Sequence, residues 1–488
     1  MNCDIPSLLQ RLTVPRAALI DGQAHGSGPL LEVRNPEHDS LLCCIQSASV
    51  QQLQSWLERV QQAPRQGVHW SRQQRIDLLQ GVAARLLQQE DDISALISLE
   101  SGLCRQDTRH EVRRAADVFS CAAHLCALDD GACFAGDLGR LGKARRLFTL
   151  REPLRAVAAI TPFNHPLNQV AHKLAPALAT NNRLLLKPSD KTPLSALLLG
   201  QMVLEAGWPP EALAIVPGPA AEIGALLCQH PAIELLAFTG STAVGQLIAS
   251  QARYTRLLLE LGGNDCCIVL DDADPQQAAQ LIVQGAYRNS GQRCTAIKRI
   301  FLQQGIAAAV LEQAQTLTRN LDCGPVLADS TDVGCVIDNA AAQQIEARIQ
   351  AASAQGARVL VGGARQGARI YPTLLDGVRP EMELVRLETF GPVAPCQRVA
   401  DLAQAIALAN ASEFGLSASV CTRRLDLAMQ AIHALECGSV HIMDVPGYRT
   451  EMSPFGGIKA SGLGLKEGVQ QAMQAYTHQK TFSLPWAG

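Results

Sequence analysis

One cysteine sits where thiol chemistry is possible. In the stretch NSGQRCTAIKR, Asn289 to Arg299, Cys294 follows a polar, glycine-containing segment. Arg293 stands directly before it, and Lys298 and Arg299 follow closely. Cationic neighbours favour a lowered thiol pKa, and the thiolate is the nucleophilic form. A cation against the cysteine also suits a second task, holding an anionic substrate. Two further residues fit such chemistry. Glu260 ends the apolar run LLLELGG, where lost solvation raises a carboxylate toward the range of a general base. Asn164, in TPFNHPLN, lies at the end of an apolar run, where its amide can donate to a developing oxyanion or cap a turn.

A second group of residues points to a nucleotide. The fingerprint GxGxxG is absent. FTGSTAVG instead places Gly240, Ser241 and Gly245 between an expected strand and an expected helix. Such a turn offers backbone N–H groups and a helix N-terminus to a pyrophosphate. LLLKPSD ends another expected strand with Lys187 and Asp190. A carboxylate there accepts both ribose hydroxyls of NAD and repels a 2′-phosphate. Each signal alone also fits an ordinary turn or a solvated strand end.

These residues need a scaffold, and the chain alternates as an α/β protein does. Strands are expected in RAVAAITPF, NRLLLKPS, AIVPG and LLAFTGS, with helices in HKLAPALATN, PLSALLLGQMVLEAG and AEIGALLCQHP between them. A second alternating series runs from CCIVLDDAD to GSVHIMD. The expectation is two doubly wound parallel-sheet lobes. The run from Arg75 to Ser101 reads as amphipathic helix stopped by Gly102, and RHEVRRAADVFSCAAHLCAL as another long helix. KARRLFTLREPL and AYTHQKTFSLP alternate like strands that pair with each other or with another subunit.

The bulk numbers exclude several classes. With 488 residues the chain is too long for one core. Its net charge of −3 gives no global attraction to nucleic acid or to a membrane surface. Sixteen cysteines are scattered, with no CxxC pair and no zinc spacing, so free thiols in a reducing cytoplasm and no metal are expected. The leading segment has an early Asp4 and no basic region before an apolar run, unlike a secretory signal, and no apolar stretch is long enough to span a membrane.

Taken together, the motifs resemble those of the NAD(P)-dependent aldehyde dehydrogenase superfamily. PFNHPL, LLLKPSD, FTGSTAVG, LELGG, GQRC, ETFGP and PFGGIKASGLG occur in that order over almost the whole chain. The resemblance implies a cofactor-binding lobe (1–125 and 150–262), a catalytic lobe (263–440), a return segment (441–469) and a small β extension (126–149 and 470–488) for homodimer or homotetramer assembly. It implies that Cys294 attacks an aldehyde, that Asn164 and the Cys294 N–H stabilise the oxyanion, and that Glu260 activates water against the thioester. It implies NAD as cofactor, with Glu388 of ETFGP on the nicotinamide ribose and Phe390 placing the ring. Asn264 departs from the lysine that many members carry, and no role is assigned to it.

Arg293 narrows the resemblance. An arginine before the cysteine is similar to the branch that oxidises phosphate-bearing aldehydes, where a second arginine in an EVxR helix grips the same anion. Arg114 of EVRRA matches that second arginine. His165 stands where that branch has tyrosine. TPFNHPLNQVAHK and PGYRTEMSPFGGIK look closer still to phosphonoacetaldehyde dehydrogenases, with Arg449 as a third cation. The expectation is therefore oxidation of a small anionic aldehyde, phosphonoacetaldehyde first. Glyceraldehyde 3-phosphate or a semialdehyde is the alternative, and a non-catalytic protein that kept the fold is the third.

Overall fold

The computed structural model describes residues 5–65, 67–128 and 131–486; Asp4 lies outside them. Two seven-stranded sheets carry the molecule. In the first, Arg256–Glu260, Leu235–Thr239, Val157–Ile160, Leu184–Lys187 and Leu213–Ile215 run parallel in that spatial order. Leu19–Ile20 and Gln23–Ala24 extend the edge antiparallel, so the sheet is mixed where a purely parallel one was expected.

Side-chain alternation places helices on both faces. Val157, Ala159, Leu184, Leu186, Leu213 and Ile215 join a core with the helices Arg72–Gln88, Arg105–Ala127 and Asn168–Ala179. Ala158, Leu185, Ala214, Leu236 and Phe238 join the opposite core with Val50–Gln62, Ala220–Gln229 and Thr242–Gln251. The expected helical run from Arg75 to Ser101 is two helices, Arg72–Gln88 and Glu90–Ser101, parted at Gln89. Gln89 leaves helical geometry (φ −107°, ψ 18°), and Glu90, Asp91 and Asp92 then supply the acidic first turn that a new helix N-terminus favours. Gly102 ends the second helix at φ +77°, a left-handed position that suits glycine.

The second sheet is ordered Arg358–Val361, Thr373–Asp376, Val393–Val399, Ile297–Gln303, Asp265–Val269, Ser417–Cys421 and Ser439–Ile442, parallel except for its first strand. The α/β, doubly wound architecture is therefore as expected. A third sheet pairs Thr477–Pro485 with Arg145–Pro153 along nine positions and adds Cys133–Ala135. The two alternating segments do pair with each other.

Segment limits differ from the expected ones. Arg145–Pro153 continues past 149, and the helix Val469–Ala475 belongs to the first lobe's core through Val469 and Ala472, so the third sheet resumes only at Thr477. Segment 441–469 does not simply return to the first lobe. Ile458–Lys459 pairs with Phe414–Gly415, while Gly462 bridges Glu260. Among the described residues no helix is long and apolar enough to cross a membrane, and every described cysteine is a free thiol.

Candidate active site

Cys294 leaves a turn of unusual backbone. Asn289, Ser290 and Gly291 all have positive φ, at 58°, 52° and 67°. Two consecutive non-glycine residues in that region are strained, and surrounding bonds must hold them. Asp107 accepts from the Asn289 backbone N–H at 2.7 Å, and Asn289 Nδ2 donates to the Asn164 carbonyl at 2.9 Å. Asn164 Nδ2 donates to the Gln292 carbonyl at 2.9 Å, and Gln292 Oε1 accepts from the Ile337 N–H. The candidate oxyanion donor and the candidate nucleophile turn are thus one hydrogen-bonded unit.

The expected lowering of the Cys294 pKa is corrected by the structure. Burial pushes the thiol up to about 11, against a smaller opposing pull from Lys298. The flanking arginines are directed elsewhere. Arg293 donates through Nη2 to the Gln284 and Gly285 carbonyls near the end of the helix Pro275–Tyr287. Arg299 donates to the carbonyls of Asn264, Leu408 and Ala409. Adjacency in sequence did not mean adjacency to sulfur.

Glu260 ends its strand 3% exposed, with neither carboxylate oxygen hydrogen-bonded. Burial, and then the nearby Glu467 charge, raise its pKa well above the ordinary value. That matches the expectation for this residue. Behind it, Lys173 pairs with Glu467, both buried.

One cavity of ≈ 620 Å³ opens on Cys294. Arg114, His165, Arg293 and Arg449 all line it, so the four expected anion-binding residues meet. Arg114 Nε donates to Glu451 Oε1 at 2.6 Å, leaving Nη2 buried without a partner. Arg293 Nε is likewise buried and unpartnered. The Arg449 guanidinium lies 4.2 Å from the Phe455 ring centroid. Among the described residues only Arg114 of these three has a carboxylate partner. His165 Nδ1 sits 3.7 Å from Glu111, whose other oxygen accepts the Leu167 and Asn168 N–H groups.

The structure adds residues that were not anticipated. His110 lines the cavity, its pKa lowered to about 4 by burial and then by Arg288 and Arg114. Its spacing of four from Arg114 on one helix was a usable signal. Glu451 lies between Arg114 and His172 Nε2, which is 2.7 Å away, and these neighbours hold its carboxyl well below the usual range against its burial. Only the tertiary fold brings His172 there.

Of the expected nucleotide residues, Lys187, Asp190, Gly240 and Ser241 lie at or just past the C-terminal ends of the first sheet's strands, whereas Glu388 and Phe390 come from the second lobe, ahead of its strand Val393–Val399. Gly240 and Ser241 lead into the ten-residue helix Thr242–Gln251, whose first turn is largely open to solvent, as an anion site needs. Ser241 Oγ accepts from the Val244 N–H, and Gly245 leaves room for Leu261, where a Cβ would collide with its side chain. Lys187 donates to Asp190 at 2.9 Å, and Asp190 also accepts the Gly218 N–H. Glu388 accepts the Gly263 N–H at 3.1 Å, and a Cβ at Gly262 would collide with its other oxygen. Phe390 stands edge-on to Phe163, with centroids 5.9 Å apart. Asn264 donates to the Val385 carbonyl at 2.8 Å, tying the segment before the strand Asp265–Val269 to the short helix Glu383–Arg386.

The aldehyde dehydrogenase family model matches residues 23–482. The chain belongs to that family. It is an oxidoreductase that acts on an aldehyde group with a nicotinamide dinucleotide. Among its relatives, 3-sulfolactaldehyde dehydrogenase of Priestia aryabhattai is 36% identical over 84% of this chain and 86% of its own. Sulfoacetaldehyde dehydrogenase of Neptuniibacter caesariensis is 35% identical over 84% and 90%. The NADP-dependent glyceraldehyde-3-phosphate dehydrogenase of Bacillus halodurans C-125, solved with NADP, superposes with a TM-score of 0.93 at 35% identity, covering 96% of this chain and 99% of that one.

Proposed function

We propose that this aldehyde dehydrogenase oxidises phosphonoacetaldehyde to phosphonoacetate with NAD. The carrying observation is the set of three guanidinium groups, Arg114, Arg293 and Arg449, on the cavity that holds Cys294, with one carboxylate partner among them. A dianionic head group balances that excess, and a planar guanidinium fork suits its oxygens. The substrate's single methylene keeps the anion within ~3 Å of the carbonyl carbon, so cations close to the nucleophile fit. A second reading, a sulfonate aldehyde, is favoured by the names of two relatives. A sulfonate is also tetrahedral but carries one charge.

In this reading Cys294 Sγ attacks the carbonyl carbon and the thiol proton passes to Glu260, directly or through water. Asn164 Nδ2 and the Cys294 N–H donate to the resulting oxyanion. When bound, the nicotinamide supplies the hydride acceptor that turns the thiohemiacetal into a thioester. Glu260 releases that first proton to solvent and then takes one from water as the water attacks the thioester carbon; the C–S bond breaks, the thiolate recovers a proton from Glu260, and the acid leaves. A buried carboxylate with no hydrogen bond and a raised pKa suits both proton transfers. Gly240, Ser241 and the helix they open would hold the pyrophosphate, Lys187 and Asp190 one ribose, Glu388 the other, with Phe390 beside the ring. The third sheet, with Phe134, Phe482, Leu484 and Trp486 exposed, is the proposed surface for homodimer or homotetramer assembly.

Comparing kcat/KM for phosphonoacetaldehyde, sulfoacetaldehyde, glyceraldehyde 3-phosphate, succinate semialdehyde and propanal tests the reading. Phosphonoacetaldehyde is expected to lead. A lead for sulfoacetaldehyde selects the second reading, and parity with propanal removes the anion site.

A further inference from the structure

Lys298 is 2% exposed, yet its ammonium has four acceptors. Nζ lies 2.8 Å from the carbonyls of Gly263, Arg293 and Cys294, and 3.0 Å from Glu388 Oε1. It also sits 5.7 Å from the centroid of the Phe390 ring. A buried cation is costly unless it is paired and hydrogen-bonded, and here every donor is used.

The backbone is shaped to put it there. Asp265 pairs with Ile297, but the next residue, Cys266, pairs with Arg299. Lys298 is therefore the extra residue of a β-bulge in a parallel pair. The bulge also resets alternation along its strand. Ile297 shares a core with Ile300 and Leu302, while Arg299 stacks near Phe301 on the other face. A regular strand would give Ile297 and Ile300 opposite faces. Bulges beside active sites re-aim side chains in this way, and here the re-aimed chain turns back under the nucleophile turn.

We propose that Lys298 is a positioning residue that couples two halves of the site, fixing the Arg293–Cys294 peptides through their carbonyls and Glu388 through its carboxylate. This rests on the reading of Cys294 as nucleophile and Glu388 as a cofactor ligand. Its consequence is that the orientation of the thiol-bearing turn and the cofactor-facing carboxylate are set by one ammonium rather than independently.

The test uses Lys298→Met, Glu388→Gln and the double variant, which leaves neither charge buried alone and keeps the test open should Lys298→Met fold poorly. Two quantities are measured in each: NAD affinity by fluorescence titration, and the rate of Cys294 alkylation by iodoacetamide without cofactor, followed against pH. Lys298→Met is expected to slow alkylation about tenfold at a fixed mildly alkaline pH, as a one-unit rise in the thiol pKa would. It is also expected to weaken NAD binding about tenfold, with most of that loss absent in the Glu388→Gln background, because coupled residues are non-additive. An unchanged alkylation profile in a folded variant, or additive losses in NAD affinity, would overturn the coupling. If Glu388→Gln alone leaves NAD affinity intact, the cofactor role of Glu388 fails, and the alkylation arm still decides whether Lys298 holds the nucleophile turn.

Discussion

Arg114 and Glu451 are bound through one nitrogen and one oxygen, Nε to Oε1 at 2.6 Å, so the guanidinium is fixed at its inner edge while Nη2 stays unpartnered. Replacing Arg114 with Ala is expected to lower kcat/KM for phosphonoacetaldehyde by roughly tenfold to more than a hundredfold, the equivalent of one charge-assisted hydrogen bond. Propanal should be spared. Equal losses for both aldehydes would mean that Arg114 supports the fold of the site rather than the anion.

Arg293 gives a different outcome, because it also binds the Gln284 and Gly285 carbonyls. Arg293→Ala should lose phosphonoacetaldehyde activity and also lower Tm, whereas Arg293→Lys should recover part of the stability but little of the selectivity, since a lysine has no planar fork. Thermal melts beside the two kcat/KM values separate these effects.

Free-enzyme thiol reactivity follows from burial. With the Cys294 pKa raised to about 11, alkylation without cofactor should be slow at neutral pH and rise about tenfold per pH unit to about pH 9, without a plateau. A plateau near neutrality would show a thiolate that the geometry does not provide.

Glu260→Gln should slow the burst of NADH and then stall, because Glu260 takes the thiol proton before acylation and activates water after it; steady turnover at the wild-type rate would move the base elsewhere. Its pKa is raised in the folded state, so its protonated form is the better tolerated one. The relative stability is fully present below the unfolded carboxylate pKa and is lost as pH rises through the folded value. Glu260→Gln should therefore raise Tm above that window and leave it almost unchanged at low pH. Wild-type hydrolysis should fall on the acid side as Glu260 protonates.

Asp190, held by Lys187 and the Gly218 N–H, is expected to favour NAD, and Asp190→Ala should narrow the preference over NADP. A wild-type enzyme with equal kcat/KM for both cofactors would place that carboxylate away from the ribose.

Much of this site was readable in the chain because its residues lie at strand ends. Glu260 and Lys187 close apolar runs, Gly240 directly follows one, and the sheet carries each to one edge. What failed was inference from sequence neighbours. Arg293 and Arg299 flank the cysteine region but bond to helix-end carbonyls, and Lys298 reaches its four acceptors only because a bulge breaks the alternation that pattern reading assumes. His172 and Glu451 were invisible for another reason: 279 positions separate them, and nothing local links them. The division at Gln89 was hidden because both helices keep apolar faces across it.

The long third-sheet pairing has a consequence for how the protein is made. Arg145 and Ser483 bond across 338 residues of chain. At typical elongation rates the strand Arg145–Pro153 waits on the order of tens of seconds for that partner to be synthesised. During that wait an edge bearing Leu147, Phe148 and Leu150 is open to other nascent chains. That edge also carries Arg145, Arg146 and Arg151, and like charges of this kind oppose the pairing of two such edges on neighbouring nascent chains.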